Sequence, residues 1–325
     1  MIQFIDDHKN NYGVELICRV LPIAPSTYHR AKDLEDCPEK RSLRSQHDAF
    51  YISEIKRIWQ DSKCRYGARK VWQQMKTNGL QVARCTVERL MKQHGLQGVW
   101  RGKGKITTHS RDDQKRADDL VNRNFNARQP NQLWVADFTY IKTISGWVYT
   151  AFIIDVFARA IVGWKVSNRM NIDMAMAALN QAMTDRVNPK DVIHHSDRGV
   201  QYLSIRYTEK MVDSGVIASV GTTGNSYDNA LAETVNGLYK AEVIHYLKEQ
   251  WNGVNDVELA TLEWVDWFNK TRLHSTIGYV SPFEFEKRYY DNLNLSGIAP
   301  DSSKSLSDKL GAVQFAGLVN FELQS

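Results

Sequence analysis

The sequence predicts an α/β protein: a mixed β-sheet flanked by helices, preceded by an all-helical basic region. Three observations carry this. Apolar residues in the first hundred positions recur at helical spacing. At Gln132 the texture changes to runs rich in β-branched and aromatic residues. From there the runs follow the order β-β-β-α-β-α-β and then a helix, which a mixed sheet with helices on its faces accommodates. The charge divides at the same place: residues 1–130 hold 25 Lys+Arg against 15 Asp+Glu, and 131–325 hold 17 against 22. A basic first part suits a polyanionic partner, and an acidic second part suits clustered carboxylates that bind cations.

A chain of 325 residues is long for one average domain. It contains no run of eighteen apolar residues, no signal peptide with an apolar h-region and no lipidation signal, so a membrane or secreted destination is not expected and the cytoplasm is. Cys18, Cys37, Cys64 and Cys85 stand apart and form no Cys-x-x-Cys pair, so free thiols are expected, with neither a disulfide framework nor a zinc knuckle.

Residues 1–40 read as a helical N-terminal segment: Val14, Leu16, Ile17, Val20 and Leu21 give a helix over Tyr12–Leu21, Pro22–Pro25 break it, and Ser26 is expected to cap the next. Residues 41–100 read as a helix-turn-helix-like region. A helix over about Ser42–Gln60 has Phe50, Ile52, Ile55, Ile58 and Trp59 as its apolar residues, most of them on one side that would face a small helical core. A periodic stretch over Ala68–Lys76, the breaker Asn78-Gly79 and a helix over Ala83–Gln93 then follow. In such a motif the second helix enters the major groove, a role for Arg84, Arg89 and Lys92. Residues 101–130 are a basic linker. Three strands, Leu133–Ile141, Trp147–Val156 and Ala160–Val166, open a core over 131–248. A helix over Asn171–Arg186, a strand Asp191–His195, a helix Ser204–Ser214, a strand Val216–Val220 and a long helix Asp228–Leu247 complete it. Residues 249–290 form a C-terminal helical segment, including a helix over Val257–Asn269, and 291–325 a poorly ordered tail.

The chemistry is read from three acids. Asp137 lies inside an apolar strand, where a charge is costly unless paired or bound to a metal. Asp197 follows a strand and sits where open α/β sheets place ligands. Glu233 lies in the first turns of the helix after Gly224. One helix, one strand and a glycine loop are enough to bring the chain from Asp197 back beside the other two. Three converging carboxylates repel unless cations neutralise them, and hard oxygen donors suit Mg²⁺ or Mn²⁺. Two such ions can activate a water or a 3′-hydroxyl and stabilise the leaving oxygen at phosphorus. His194 and His195 end a buried strand and read as structural hydrogen-bonders, and Asp155 as a turn cap or a partner of Arg159.

Trp134-Val-Ala-Asp137-Phe-Thr-Tyr140, His194-His-Ser-Asp197-Arg-Gly199 and Gly224-Asn-Ser-Tyr-Asp-Asn-Ala-Leu-Ala-Glu233 resemble the three catalytic blocks of bacterial insertion-sequence transposases related to retroviral integrases. Lys240 matches the basic residue these enzymes set two helical turns after the glutamate, and Tyr66-Gly-Ala-Arg-Lys70 resembles the helical segment before their core. The resemblance implies an RNase H-like five-stranded sheet, catalytic and metal-binding Asp137, Asp197 and Glu233, and cleavage of element ends with joining of the 3′-hydroxyl to target DNA. It also implies double-stranded DNA as partner, a homo-oligomer that pairs two ends, and a nucleoid-associated protein. Asn225 and Tyr227 on the loop before Glu233, Lys240 on its helix, and Arg272 in a block after the core are expected DNA contacts. Family members are commonly made as a frameshift fusion with an upstream reading frame. This sequence starts at Met1 and has no heptad run, so an upstream-frame protein, as a separate partner or as the other part of a fusion, is a possible requirement. The competing readings are an RNase H-type nuclease without strand transfer and a DNA-binding regulator with an inactive core.

Overall fold

The computed structural model describes residues 1–101, 126–196, 205–220, 230–247 and 250–295. The chain divides into two compact units, Met1–Gly98 and Val99–Ser325.

The first unit is all helical. Helices α1 (Ile2–Tyr12), α2 (Val14–Val20) and α3 (Pro25–Asp36) bury Ile5, Ile17, Cys18 and Tyr28 together. Helix α1 was not anticipated, and α3 starts on Pro25 rather than on a Ser26 cap. Proline at the first helical position has its φ preset and needs no hydrogen-bond partner. Helix α4 (Leu43–Asp61) is capped by Ser42, whose Oγ accepts from Ser45 N at 3.3 Å. It packs on α5 (Ala68–Thr77) and α6 (Arg84–Gln93). Of Phe50, Ile52, Ile55, Ile58 and Trp59, Ile55 and Ile58 are buried and only Phe50 is exposed, on the other side of the helix from that majority. Val71, Met75, Val87, Leu90 and Met91 complete the buried faces of α5 and α6, so the periodicity read from the sequence is the packing stripe.

The second unit is built on one sheet. Strands β1 (Leu133–Thr143), β2 (Gly146–Asp155), β3 (Ile161–Ser167), β4 (Val192–Ser196) and β5 (Val216–Val220) lie in the order β3-β2-β1-β4-β5. β1–β2 and β2–β3 are antiparallel, β1–β4 and β4–β5 parallel. The parallel pairs need crossovers, supplied by α7 (Ile172–Asp185) and α8 (Ile205–Ser214). One face of the sheet, through Trp134, Ala136, Ala151 and Ile153, packs on Ala175, Ala178, Leu179 and Tyr207 of these helices. Gly163 of β3 permits the close approach of α7, since a Cβ there would lie 2.3 Å from the Ala178 carbonyl oxygen.

The other face is covered by α9 (Ala230–Tyr239) and α11 (Val254–Lys270). Phe152 meets Tyr239 and Trp264 at ring-centroid distances of 5.1 and 5.9 Å. The long helix expected over Asp228–Leu247 is α9, a π turn Lys240–Ile244 and a short α10 (His245–Leu247). Helix α12 (Pro282–Leu295) runs beyond the expected start of the tail. Its Glu286 receives Arg186 Nη1 and Nη2, both at 2.8 Å, in a buried bidentate pair. At the outer strand, Asn269 of α11 accepts from Ile161 N at 2.9 Å and donates to Ile161 O at 2.8 Å. A five-stranded mixed sheet between helical layers after a helical N-terminal region is the RNase H-like arrangement that the sequence predicted.

Candidate active site at the end of the central strands

Residues opposite each other in a ladder share a face, and Asp137 stands opposite Phe152. Asp137 therefore lies on the face covered by α9 and α11, at the point where the parallel partner gives out. β4 pairs with Leu133–Ala136 of β1 and ends at Ser196. Beyond that point β1 continues to Thr143 without a strand partner on this side among the described residues.

The side chain of Asp137 is fixed from two directions. Its Oδ1 accepts from Phe138 N at 2.8 Å, and its Oδ2 accepts from Asn236 Nδ2 at 2.9 Å. Asn236 also reaches Phe138 O at 3.4 Å, so one amide ties α9 to the central strand. Residues three, four and seven apart share a helical face. Glu233, Asn236, Gly237 and Lys240 thus form one stripe, which brings Glu233 to the Asp137 side of the helix. Glu233 is exposed in the first turn, where the helix dipole favours a carboxylate. Gly237 leaves room for Arg101, whose Nε lies 2.5 Å from where a Cβ would be. Lys240 Nζ lies 4.6 Å above the Tyr140 ring.

Asp197, Asn225 and Tyr227 lie outside the described residues. Among the described residues no three His, Cys, Asp or Glu side chains are grouped to hold a metal ion. The paired histidines are structural in their contacts. His194 meets the Tyr207 hydroxyl at 3.1 Å, and His195 Nδ1 meets Ser219 Oγ at 2.9 Å across the β4–β5 ladder. Burial lowers His194 to about 4, so its imidazole is neutral at ordinary pH. Asp155 caps the turn after β2, accepting from Phe157 N at 2.8 Å and Asn131 N at 2.6 Å. Burial pushes its carboxyl up, against the pull of Arg186.

Arg272 corrects an expectation. It was read as a DNA contact, yet it is 5% exposed. Its Nη2 donates to Glu242 Oε1 at 2.6 Å and its Nε to Oε2 at 3.0 Å, while Trp264 Nε1 donates to Glu242 Oε2 at 3.0 Å. The π turn carries Glu242 inward, where an unpaired carboxylate would be costly and a bidentate guanidinium satisfies it. In the helical unit, Arg84 Nε pairs with Glu88 Oε1 at 3.0 Å on an exposed surface, and Arg89 Nη2 donates to Asp48 Oδ1 at 2.7 Å, tying α6 to α4. Lys92 is exposed.

Asn236 is the residue that sequence reasoning missed. The signal for Asn236 was its position three residues after Glu233, on the same face.

Residues 127–226 and 214–282 match the family description "Integrase core domain", and residues 46–104 match "HTH-like domain". The transposase for insertion sequence element IS629 of Shigella sonnei is 49% identical over 299 residues, covering 92% of this chain and 100% of the relative. The transposase for IS3411 of Escherichia coli is 48% identical over 189 residues, covering 58% of this chain and 78% of the relative. The HTLV-2 integrase catalytic core domain, solved in complex with magnesium, aligns with a TM-score of 0.41 at 19% identity, over 50% of this chain and 99% of that one. With the helix-turn-helix-like unit, the sheet and the matched blocks in one chain, this protein belongs to the bacterial insertion-sequence transposases with an integrase-type core.

Proposed function

We propose that this chain cleaves the ends of its insertion sequence and joins the freed 3′-hydroxyl to target DNA, through Asp137, Asp197 and Glu233. The observation that carries the reading is the Asn236–Asp137 bond, which sets the Glu233 face of α9 beside the strand that bears Asp137. Chain connectivity supports the third member. Asp197 follows Ser196, whose register partner Ala136 immediately precedes Asp137, and consecutive Cα atoms are about 3.8 Å apart.

The donor set fits a hard divalent cation. All three acids offer carboxylate oxygens, and a neutral amide and a backbone N–H aim Asp137. Asp137, Asp197 and Glu233 would hold two Mg²⁺ or Mn²⁺ ions, which supply activation of the attacking hydroxyl and stabilisation of the leaving oxygen. The chain's own part is positioning. Asn236 fixes the Asp137 carboxylate, and Lys240 places a cation on the Glu233 face for a DNA phosphate. In the displacement the attacking oxygen bonds to phosphorus as the bond to the departing 3′-oxygen breaks.

Asn225 and Tyr227 meet DNA from the loop before Glu233, and Arg84, Arg89 and Lys92 of the helix-turn-helix-like unit bind it through groove or phosphate contacts. Arg89 and Arg84 would exchange their carboxylate partners for DNA. A homo-oligomer pairs two ends in the bacterial cytoplasm at the nucleoid, with an upstream-frame protein assisting end recognition.

The test is a cleavage and joining assay on labelled DNA from the element's borders, with Mg²⁺, Mn²⁺ or chelator, comparing the chain with Asp197→Asn and Asp137→Asn. Metal-dependent joined products that both variants lose support the reading. Cleavage without joining, in the presence of target DNA and the upstream-frame protein, would reduce it to a nuclease.

A further inference from the structure

Past Asp137, the β1–β2 hairpin carries an aromatic pair that the catalytic reading does not use. Tyr140 and Trp147 lie edge to face, with ring centroids 5.5 Å apart at 77°. They are diagonal neighbours across the β1–β2 ladder, since Tyr140 stands opposite Tyr149 and Trp147 opposite Lys142. Tyr140 is 47% exposed and Trp147 51%, so each leaves a large part of its ring in solvent. Lys240 Nζ lies 4.6 Å above the Tyr140 ring, setting a cation at the edge of the same patch.

The patch is rigidly mounted. Thr143 Oγ1 donates to Gly146 O at 2.7 Å across the hairpin tip. The tip is bonded to the segment before α11 by Ile144 N to Trp251 O at 2.8 Å, Ser145 N to Asn252 O at 3.1 Å and Ser145 Oγ to Asn252 O at 2.6 Å. A hairpin held this way keeps its aromatic rings in one place, as a binding surface requires.

We propose that Tyr140 and Trp147, with Lys240 beside them, form a stacking platform for an unpaired base near the reacting end of the DNA. The proposal rests on the catalytic reading above and adds a ligand to it. Two half-exposed aromatic faces next to a lysine match the needs of a splayed nucleotide: a π-surface for the base and a cation for its phosphate. Tyr140 is three residues beyond Asp137, a rise of about 10 Å along the strand at roughly 3.3 Å per residue, and the alternation of side chains turns it to the face opposite the Asp137 carboxylate. The link to the acids is Lys240, which shares the Glu233 stripe of α9 and reaches the Tyr140 ring.

The experiment measures binding of the full chain to two labelled duplexes with the element-end sequence, one fully paired and one with its last four base pairs mismatched, in chelator so that no cleavage occurs. A 2-aminopurine placed at each of those four positions in turn reports stacking through quenching. Wild-type protein is expected to prefer the mismatched end and quench the probe at one or two adjacent positions. Trp147→Ala and Tyr140→Ala are expected to lose that preference by roughly 5- to 150-fold, the equivalent of about 1–3 kcal/mol of base–aromatic stacking. Trp147→Phe, which keeps a ring, should retain most of it, and circular dichroism confirms that each variant is folded. Preference and quenching that survive in both alanine variants overturn the proposal. So does a change in subunit number at constant DNA affinity, which would make the patch a contact between copies of this chain. If wild type cuts paired ends in Mg²⁺ but shows no preference and no quenching, the platform fails while the catalytic reading stands; if metal-dependent cutting is absent but the ring-dependent quenching is present, the reverse holds.

Discussion

Replacing Arg272 with alanine should destabilise the second unit strongly while leaving no direct trace on DNA recognition. The guanidinium makes bonds of 2.6, 3.0 and 3.1 Å to Glu242, and the side chains of both partners are at most 8% exposed. Without Arg272, Glu242 retains the Trp264 indole N–H as a partner, which cannot balance a buried negative charge. Breaking a buried pair from one side costs about 3–5 kcal/mol. For a unit of this size that is a melting shift of roughly 6–20 °C, at about 2–4 °C per kcal/mol. The assay is urea and thermal unfolding followed by tryptophan fluorescence. A second variant combining Arg272→Met with Glu242→Gln removes both charges yet keeps an acceptor for Trp264, and should recover at least half of the loss. The reasoning is refuted if Arg272→Ala unfolds within about 1 kcal/mol of the parent while its affinity for DNA falls, because the arginine would then be a surface contact.

Three further outcomes follow from the same geometry. Asn236→Ala removes a hydrogen bond to a charged acceptor, worth about 1.5–3 kcal/mol, and should raise the Mg²⁺ concentration for half-maximal cleavage by about 10–100-fold; a change of less than twofold would show that Asp137 needs no such support. Gly163→Ala drives a methyl into the Ala178 carbonyl of α7 and should cost about 1–3 kcal/mol in urea unfolding, against no loss if α7 can simply shift. His194 is lowered by burial to about 4, so below its unfolded value near 6.5 the unfolded chain takes up the proton first. Its contribution to stability should be complete above pH 6.5 and fall by about 3 kcal/mol as pH drops through 4. A stability-versus-pH curve of unchanged slope in His194→Gln would rule this out.

The strands were legible because their signal is local. Runs of β-branched and aromatic residues gave bounds within two residues of those observed, and Val216–Val220 coincides with its expectation. The reading weakened wherever a partner distant in sequence decides. Arg272 looked like a surface cation because its family block is polar, and only folding brings Glu242, thirty residues earlier, against it. The π turn at Lys240–Ile244 leaves no periodic trace over five residues. Phe50 stands five residues before Ile55, off the three- and four-residue spacing of the buried face, and is exposed. Of the candidate site, Asp137 and Glu233 were identified as a spaced motif, whereas Asn236 carries no signature of its own. An asparagine inside a helix is ordinary until the strand it touches is known.

Asn269 gives the sheet an asymmetry of assembly. By presenting an acceptor and a donor to Ile161, its amide imitates one residue of a neighbouring strand and occupies the backbone groups through which a sixth strand would begin to zip on. An unguarded outer strand is a template for pairing with other chains, and here the template is filled at its first residue by α11. Two copies of this chain are thereby steered away from joining sheet to sheet through β3 at this residue.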